Sequence, residues 1–294
     1  MTSRSFLFVP GDSERKLAKG VGSGADALIL DLEDSVAPAR KTAARGTVAE
    51  QLRSRAAGGP ERWVRVNPLD EGGVADLAAV VGPGLDGVVL PKIDGAGDVV
   101  RLGHYLDALE CRAGMASGSV RILPIATETP RAPFGLAGFA ERVLPRLYGL
   151  TWGPEDLGTA LGASTNRDET GEFAFTYRMV RSLCLMAARA AGVDPVDTIH
   201  ADFRDPEGLA RTSAAAAREG FTGRLAIHPD QVPIINRAFS PSAAEVEQAR
   251  RVLAAFAVAP EAGVVGLDGK MLDIPHRKQA ERVLARQAAH GDGC

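Results

Sequence analysis

Eight short apolar runs alternate along this chain with longer segments that have the apolar spacing of helices. Strands that alternate with helices form parallel sheets, and eight such repeats in about 250 residues have the size of a TIM barrel. The sequence therefore predicts an α/β fold, a TIM (β/α)8 barrel. The runs are Phe6–Pro10, Ala27–Leu32, Trp63–Pro68, Gly87–Lys92, Ile122–Ala126, a run from Leu147, a weak run from Asp197, and Gly223–Pro229.

The chain beyond the eighth repeat predicts an extension of different character. Ser242 and Glu245 have the spacing of a helix capping box. Two short apolar runs flank Asp268-Gly269, a dipeptide that suits the tight turn of a hairpin, and a last helix follows. We therefore expect a barrel catalytic domain at residues 1–239 and a C-terminal hairpin and helix extension at residues 240–294. The extension should dock as a lid on the barrel or on a neighbouring subunit.

Composition narrows the class of protein. The chain has 294 residues, 45% hydrophobic and 24% charged, which is typical of a globular protein with a sizeable core. A net charge of −3 and 5% aromatic residues favour neither nucleic acid nor an anionic membrane surface as partner. No apolar run approaches the ~20 residues of a membrane helix. The start of the chain lacks the apolar segment of a signal peptide, and the three cysteines lack metal or redox spacing, so we expect a cytoplasmic protein.

Two of the apolar runs end in acidic residues. Glu128 follows the fifth run, and Asp156 follows the sixth, 28 positions later. That interval holds one helix, predicted from about Arg131 to Val143, and one strand, so it is one βα repeat. Neighbouring parallel strands would deliver both carboxylates to the same rim. A pair of acidic oxygen ligands at one rim is typical of a site for a hard cation such as Mg²⁺.

Other polar residues also follow the predicted strands. An arginine aimed into a barrel mouth needs anionic partners, which favours a functional role for Arg65. A purely structural role stays possible for the other rim residues. Acids after strands often cap helices, Lys92 can pair with an acid, and His228 can be a turn residue. The predicted rim residues are Asp31, Glu33, Asp34, Arg65, Asn67, Lys92, Glu128, Asp156 and His228.

Taken together, these stretches resemble the citrate lyase β-subunit-like proteins, within the larger group of malyl-CoA and citramalyl-CoA lyases and related 2-keto-acid aldolases. The resemblance implies a TIM barrel, Mg²⁺ as cofactor, and a CoA or acyl-carrier thioester as substrate. It covers the chain from end to end in family order. The matching segments are Arg4–Gly11, Ile29–Asp34, Val64–Pro68, Val89–Lys92, Thr127–Pro130, Gly153–Leu157, Ala226–Gln231 and Gly269–Pro275.

The resemblance also implies roles for individual residues. Arg65 would bind the carboxylate of the keto acid part and fix the bond that breaks, and Glu128 and Asp156 would hold the metal beside the substrate. Asp273 would be the catalytic proton donor or acceptor, presented by the C-terminal segment, often from an adjacent subunit.

Two further segments would contact the CoA moiety. Lys16, in the segment from Gly11 to Lys19, and His228, after the eighth strand, are the substrate-binding candidates there. Arg15 and Lys19 remain alternatives for the contact to phosphate.

The implied activity is a Mg²⁺-dependent carbon–carbon lyase that cleaves or forms malyl-, citramalyl- or citryl-CoA, with acetyl-CoA and a 2-keto acid as products, in a homotrimer. The sequence leaves open which acyl group is cut and in which direction. Alternatives are a citrate lyase β subunit acting on a carrier-protein thioester, a non-catalytic CoA-ester-binding barrel, a thioesterase, and a Schiff-base aldolase using Lys92.

Overall fold

The computed structural model describes residues 2–290, and within them eight parallel strands form a barrel. Met1 and residues 291–294, the end of the predicted extension, lie outside the described residues. The barrel strands are β1 (Ser5–Pro10), β2 (Ala27–Asp31), β3 (Glu61–Arg65), β4 (Gly87–Leu90), β5 (Arg121–Pro124), β6 (Gly149–Leu150), β7 (Asp194–Asp197) and β8 (Gly223–Ala226).

The strand order closes the sheet on itself. β1 pairs in parallel with both β2 and β8, so the first and last strands are neighbours. At the opposite side, single parallel bridges Ile122–Leu147 and Ile125–Thr151 join β5 to β6. The predicted TIM barrel is confirmed. β7 begins at Asp194, three residues before the predicted weak run, because Pro195 and two flanking aspartates hide its apolar character.

Helices surround the barrel and fill the extension. The interval between Glu128 and Asp156 holds two one-turn helices where the sequence predicted one longer helix. Over residues 2–290, no helix combines the length and apolar character that a membrane crossing requires. The helices are α1 (Glu14–Val21), α2 (Lys41–Arg53), α3 (Gly73–Val80), α4 (Ala96–Arg112), α5 (Ala132–Gly135), α6 (Gly138–Glu141), α7 (Pro154–Ala160), α8 (Phe175–Ala190), α9 (Pro206–Glu219), α10 (Val232–Phe239), α11 (Ala243–Val258) and α12 (Ile274–His290).

Aromatic side chains fill the amino end of the barrel. The rings of Phe6, Trp63 and Tyr148 pack edge to face with centroid distances of 5.1–5.8 Å. Gly87 makes room for them, since a Cβ there would lie 2.2 Å from the Trp63 ring. The Tyr148 hydroxyl accepts a hydrogen bond from the backbone N–H of Ser3, just before β1. This aromatic plug closes one end and leaves the carboxyl ends of the strands as the open mouth.

The extension has its own small apolar cluster, which includes Val246, Phe256 and Leu272. The capping box of Ser242 and Glu245 is confirmed at the start of α11. The hairpin consists of β9 (Val264–Leu267) and β10 (Lys270–Asp273), whose turn residues Asp268 and Gly269 both have positive φ, as its tight turn requires. The division of the chain at residue 239 stays a prediction.

A buried ion pair ties α4 to the segment before β6. Glu110 is fully buried and accepts hydrogen bonds from Arg146 and from the backbone N–H groups of Gly118 and Val120. Burial opposes the charge, but these bonds outweigh it and lower the pKa of Glu110 to about 2 from 4.5. The ionised group therefore stabilises the fold above pH 4.5, and this stability is lost as the pH falls from 4.5 towards 2.

We expect Glu110→Gln to lower the free energy of unfolding by roughly 1–3 kcal/mol at neutral pH, because an amide replaces charge-assisted bonds. The variant should also lose less stability than wild type as the pH falls from 4.5 to 2. Urea unfolding across this range measures both effects. Glu281→Gln, in the exposed pair with Arg277, is the matched control and should change little. Equal pH dependence in wild type and Glu110→Gln would contradict the assignment.

Candidate active site

The two predicted metal carboxylates meet at the mouth of the barrel. Glu128 follows β5, and Asp156 lies in the first turn of α7, directly after β6. Lys92 links them: its backbone N–H donates to Glu128 Oε2 at 2.6 Å, and its Nζ lies 3.3 Å from Asp156 Oδ1. Gly153 allows this approach, because a Cβ there would lie 2.6 Å from Glu128 Cγ. The predicted juxtaposition of the two carboxylates is therefore present.

Glu128 carries little compensation for a negative charge. Glu128 is 4% exposed. Over residues 2–290, its carboxylate accepts a hydrogen bond only from the backbone N–H of Lys92. Burial raises the pKa of Glu128 well above its ordinary value, and the nearby Asp156 raises it further. A cation placed between these two carboxylates would stabilise the ionised form of both.

Arg65 is held in a fork by a buried aspartate. Its Nε and Nη2 donate to the two carboxylate oxygens of Asp31, each at 2.7 Å, and its Nη1 lies 2.9 Å from Glu33 Oε2. The guanidinium also lies 4.7 Å from the ring centroid of Phe8. Although burial opposes both charges, the fork lowers the pKa of Asp31 and raises that of Arg65. Arg65 therefore stays charged and fixed in direction.

Lys92 sits in an unusual backbone conformation at the end of β4. Its φ of 51° is in the left-handed region, which is uncommon for any residue other than glycine. Functional sites often contain residues in such conformations. Its Nζ contacts Glu33, lies 3.4 Å from Asp34 and also faces Asp156. Burial opposes the charge, yet these acids raise the pKa of Lys92. An ammonium group at neutral pH is a poor amine nucleophile, which weighs against a Schiff base.

These groups border a cavity of about 330 Å³ at the carboxyl ends of the strands. Arg65, Glu128 and Asp156 all line it, as the sequence predicted. Within the part of the chain that the structure describes, three other predicted site residues do not line it: Lys16, His228 and Asp273.

Those three residues have identifiable surroundings of their own. Lys16 is exposed on α1. His228 stacks on the ring of Phe203 with centroids 5.1 Å apart, beside the cavity-lining Ile227. Asp273 is half-exposed at the end of β10, and its carboxylate lies 2.5 Å from Nδ1 of His276, a hydrogen bond that lowers the pKa of Asp273. Their roles stay predictions.

Sequence reasoning missed the apolar side of the cavity. Phe8, Trp152, Ile199 and Leu225 line it together with the charged groups. Trp152 stands between Thr151 and Gly153 in the same strand-end segment that supplied Asp156, so its position could have marked it. Asn67, by contrast, lies on the predicted rim but is buried in hydrogen bonds with Asp76 and with the backbone, which is a structural role.

Known proteins match this chain over its length. A family model described as HpcH/HpaI aldolase/citrate lyase matches residues 4–229, and a model described as C-C bond lyase of the TIM-barrel fold matches residues 178–292. Citrate lyase subunit beta of Haemophilus influenzae is 37% identical over 292 residues, 96% of each chain. A (3S)-malyl-CoA thioesterase of Cereibacter sphaeroides is 37% identical over 289 residues, 97% of this chain and 95% of the relative.

A solved structure agrees with these sequence matches. Protein CitE from Mycobacterium tuberculosis, in complex with magnesium, acetoacetate and coenzyme A, superposes with a TM-score of 0.79 at 34% identity. The match covers 97% of this chain and 98% of that one. The fold, the paired carboxylates at the barrel mouth and these full-length matches lead to one conclusion: the chain belongs to the HpcH/HpaI aldolase/citrate lyase family.

Proposed function

We propose that this protein is a Mg²⁺-dependent carbon–carbon lyase that cleaves, or forms, a 3-hydroxyacyl-CoA thioester such as malyl-, citramalyl- or citryl-CoA. The products of cleavage are acetyl-CoA and a 2-keto acid. The observation that carries the proposal is the placement of Glu128 and Asp156 in one cavity with the fork-held Arg65. The similarity to CitE, whose structure contains magnesium and coenzyme A, supports it.

The residues present fit a magnesium ion. Over residues 2–290, no group of three or more His, Cys, Asp or Glu side chains is arranged to hold a metal ion. Mg²⁺ does not need one, because it commonly takes one or two carboxylates and fills its other positions with water and substrate oxygens. Glu128 and Asp156 would hold it, and the buried, poorly compensated Glu128 carboxylate suits such an ion. When bound there, Mg²⁺ supplies Lewis-acid polarisation of substrate oxygens.

Arg65 would position the substrate for bond cleavage. Its N–H groups that do not point at Asp31 can pair with the carboxylate next to the hydroxyl carbon. This fixes the bond between that carbon and the methylene group beside the thioester. Breaking the bond, with loss of the hydroxyl proton to water in the open mouth, would leave a keto group on one fragment and the enolate of acetyl-CoA on the other. Asp31 would keep Arg65 in place through these steps.

Asp273 would handle the proton at the enolate carbon. Its lowered pKa keeps it a carboxylate, which suits removal of a proton from acetyl-CoA in the condensation direction. By microscopic reversibility, its acid form returns that proton in cleavage. Because Asp273 does not line the cavity of its own chain over residues 2–290, we propose that the extension of a neighbouring subunit supplies it, in a homotrimer.

The CoA arm would cross the rim on the side of β8 and α1. Ile227 lines the cavity beside His228, and the Phe203–His228 stack offers a flat surface for the pantetheine arm or the base. Lys16 on α1 would meet a phosphate group.

A second candidate has a specific observation in its favour. The similarity to the beta subunit of citrate lyase fits a barrel that accepts the thioester from a carrier protein and has little activity alone. The similarity to a (3S)-malyl-CoA thioesterase adds hydrolysis as a further possible outcome. Both differ from the first proposal in the product released.

We expect Asp156→Asn to reduce Mg²⁺-dependent acetyl-CoA release on the order of 100-fold or more, because a metal ligand and its charge are lost. The assay follows acetyl-CoA and free CoA from malyl-, citramalyl- and citryl-CoA, with Mg²⁺ and with EDTA. Glu169→Gln removes one negative charge from an exposed position and serves as the control. Cleavage that survives EDTA would contradict the proposal, and free CoA without acetyl-CoA would indicate the thioesterase.

Mixed oligomers test whether Asp273 acts across subunits. We expect Asp273→Asn and Asp156→Asn to be nearly inactive alone, and a reassembled 1:1 mixture to regain about a quarter of wild-type activity. Each site would draw its barrel from one subunit and its Asp273 from the next. In the mixture, half of the barrels have Asp156 and half of the neighbouring subunits have Asp273, so about a quarter of the sites have both. A mixture of Asp156→Asn with Glu128→Gln is the control and should stay inactive. An equally inactive test mixture would contradict a contribution from the neighbour.

A further inference from the structure

The described lining of the cavity contains one basic side chain and several carboxylates. Among its described lining residues, Arg65 is the single basic side chain. Lys92, next to it, is already engaged by three acids. The carboxylates that line the cavity are Asp31, Asp34, Glu128, Glu155 and Asp156. Apart from a divalent cation held by Glu128 and Asp156, Arg65 is the one basic side chain of the described lining that can hold a substrate anion.

Arg65 has one edge to offer. Its Nε and one side of Nη2 are occupied by Asp31, and Nη1 faces Glu33 at 2.9 Å. Asp34 Oδ2 also lies 4.0 Å from Nη1. The N–H groups of Nη1 and Nη2 that do not face Asp31 can pair with the two oxygens of a single carboxylate. A second carboxylate on the same substrate would have to find another partner.

The cavity also has an apolar wall. Phe8 packs against the guanidinium at 4.7 Å, and Ile125, Trp152, Ile199 and Leu225 line the same cavity. The neutral hydroxyl-bearing residues in the lining, Ser35 and Thr198, can donate a hydrogen bond but cannot neutralise a charge. A carboxylate pressed against such a wall loses hydration without gaining a counter-charge.

The one polar group of the wall is already committed. Trp152 is fully buried, and its Nε1 donates to Asp197 Oδ1 at 2.7 Å. Asp197 is itself buried and paired with Arg181, with both contacts at 3.1 Å. Phe173 packs edge to face on the indole with centroids 5.0 Å apart. The indole is therefore fixed with its N–H turned to Asp197, and that N–H is not free to pair with a substrate carboxylate.

We infer that this site takes thioesters whose keto acid part carries a single carboxylate with a hydrogen or small alkyl substituent, and discriminates against a second carboxylate there. The inference rests on the proposed function and narrows it, because malyl- and citramalyl-CoA have such a substituent and citryl-CoA carries an additional carboxymethyl group. Ile199 is the lining residue through which this preference can be changed, because it is half-buried in the wall after β7.

The first test compares kcat/KM for the three thioesters with wild-type protein and Mg²⁺. We expect citryl-CoA to be at least about 100-fold poorer than the better of malyl- and citramalyl-CoA, the range that an unpaired buried group produces. Citryl-CoA cleaved as well as either would overturn the inference while leaving the lyase function standing.

The second test places a cation in the wall. Ile199→Arg should raise kcat/KM for citryl-CoA about tenfold or more relative to that for citramalyl-CoA, because the additional carboxylate gains a partner. Ile199→Met keeps the wall apolar and is the matched control, with the wild-type order of substrates. An Arg variant that is active on citramalyl-CoA yet keeps the wild-type ratio would count against the inference.

Calorimetric titration of the keto acids distinguishes failure of the proposed lyase function from failure of the inferred selectivity. If none of the three thioesters is cleaved, the proposed lyase function fails, but pyruvate and oxaloacetate can still be titrated into the wild-type protein with Mg²⁺. Tighter binding of pyruvate than of oxaloacetate would support the inference without any turnover. Equal binding, or tighter binding of oxaloacetate, would overturn it.

Discussion

Crowding of carboxylates in a buried mouth is the constraint on which this structure depends. Burial and the nearby Asp156 raise the pKa of Glu128, and burial raises the pKa of Glu33 although Arg65 and Lys92 oppose that rise. The barrel brings these groups together because adjacent parallel strands end at one rim. Arg65 and Lys92 compensate part of the charge, and the remainder makes the mouth a place for a cation.

The residues at this rim were predictable where they depend on strand pattern. Each apolar run ends at a definite residue, so Arg65, Glu128 and Asp156 could be placed from the sequence, and their approach followed from one βα repeat. The pair of carboxylates at one rim also indicated a metal site, whereas the CoA and proton-transfer roles came from the family resemblance. The positions of Lys16 and Asp273 relative to the cavity depend on how α1 and the extension pack, which no local pattern encodes.

The wall of the cavity was not predictable for a different reason. Trp152 owes its orientation to Asp197, a residue 45 positions away, and to an ion pair with Arg181. Whether a side chain after a strand faces the lumen depends on strand tilt and register, which are set by all eight strands together. β7 adds to this, because its single valine between Pro195 and Asp197 gives almost no apolar signal. The charged residues of the site are therefore placed by individual strand ends, which can be read from short stretches of sequence. The apolar residues that would set its selectivity are placed by packing between distant parts of the chain.

The aromatic plug of Phe6, Trp63 and Tyr148 has a kinetic meaning for the proposed reaction. With the amino end of the barrel filled, ligands can enter the cavity only through the mouth. In the proposed reaction the keto acid would lie deeper in the cavity than the CoA arm. Acetyl-CoA would then leave before the keto acid in cleavage, and the keto acid would bind first in condensation. Packing at the amino end of the barrel would thus impose an order of ligand binding and release at the carboxyl end, and product-inhibition patterns report that order.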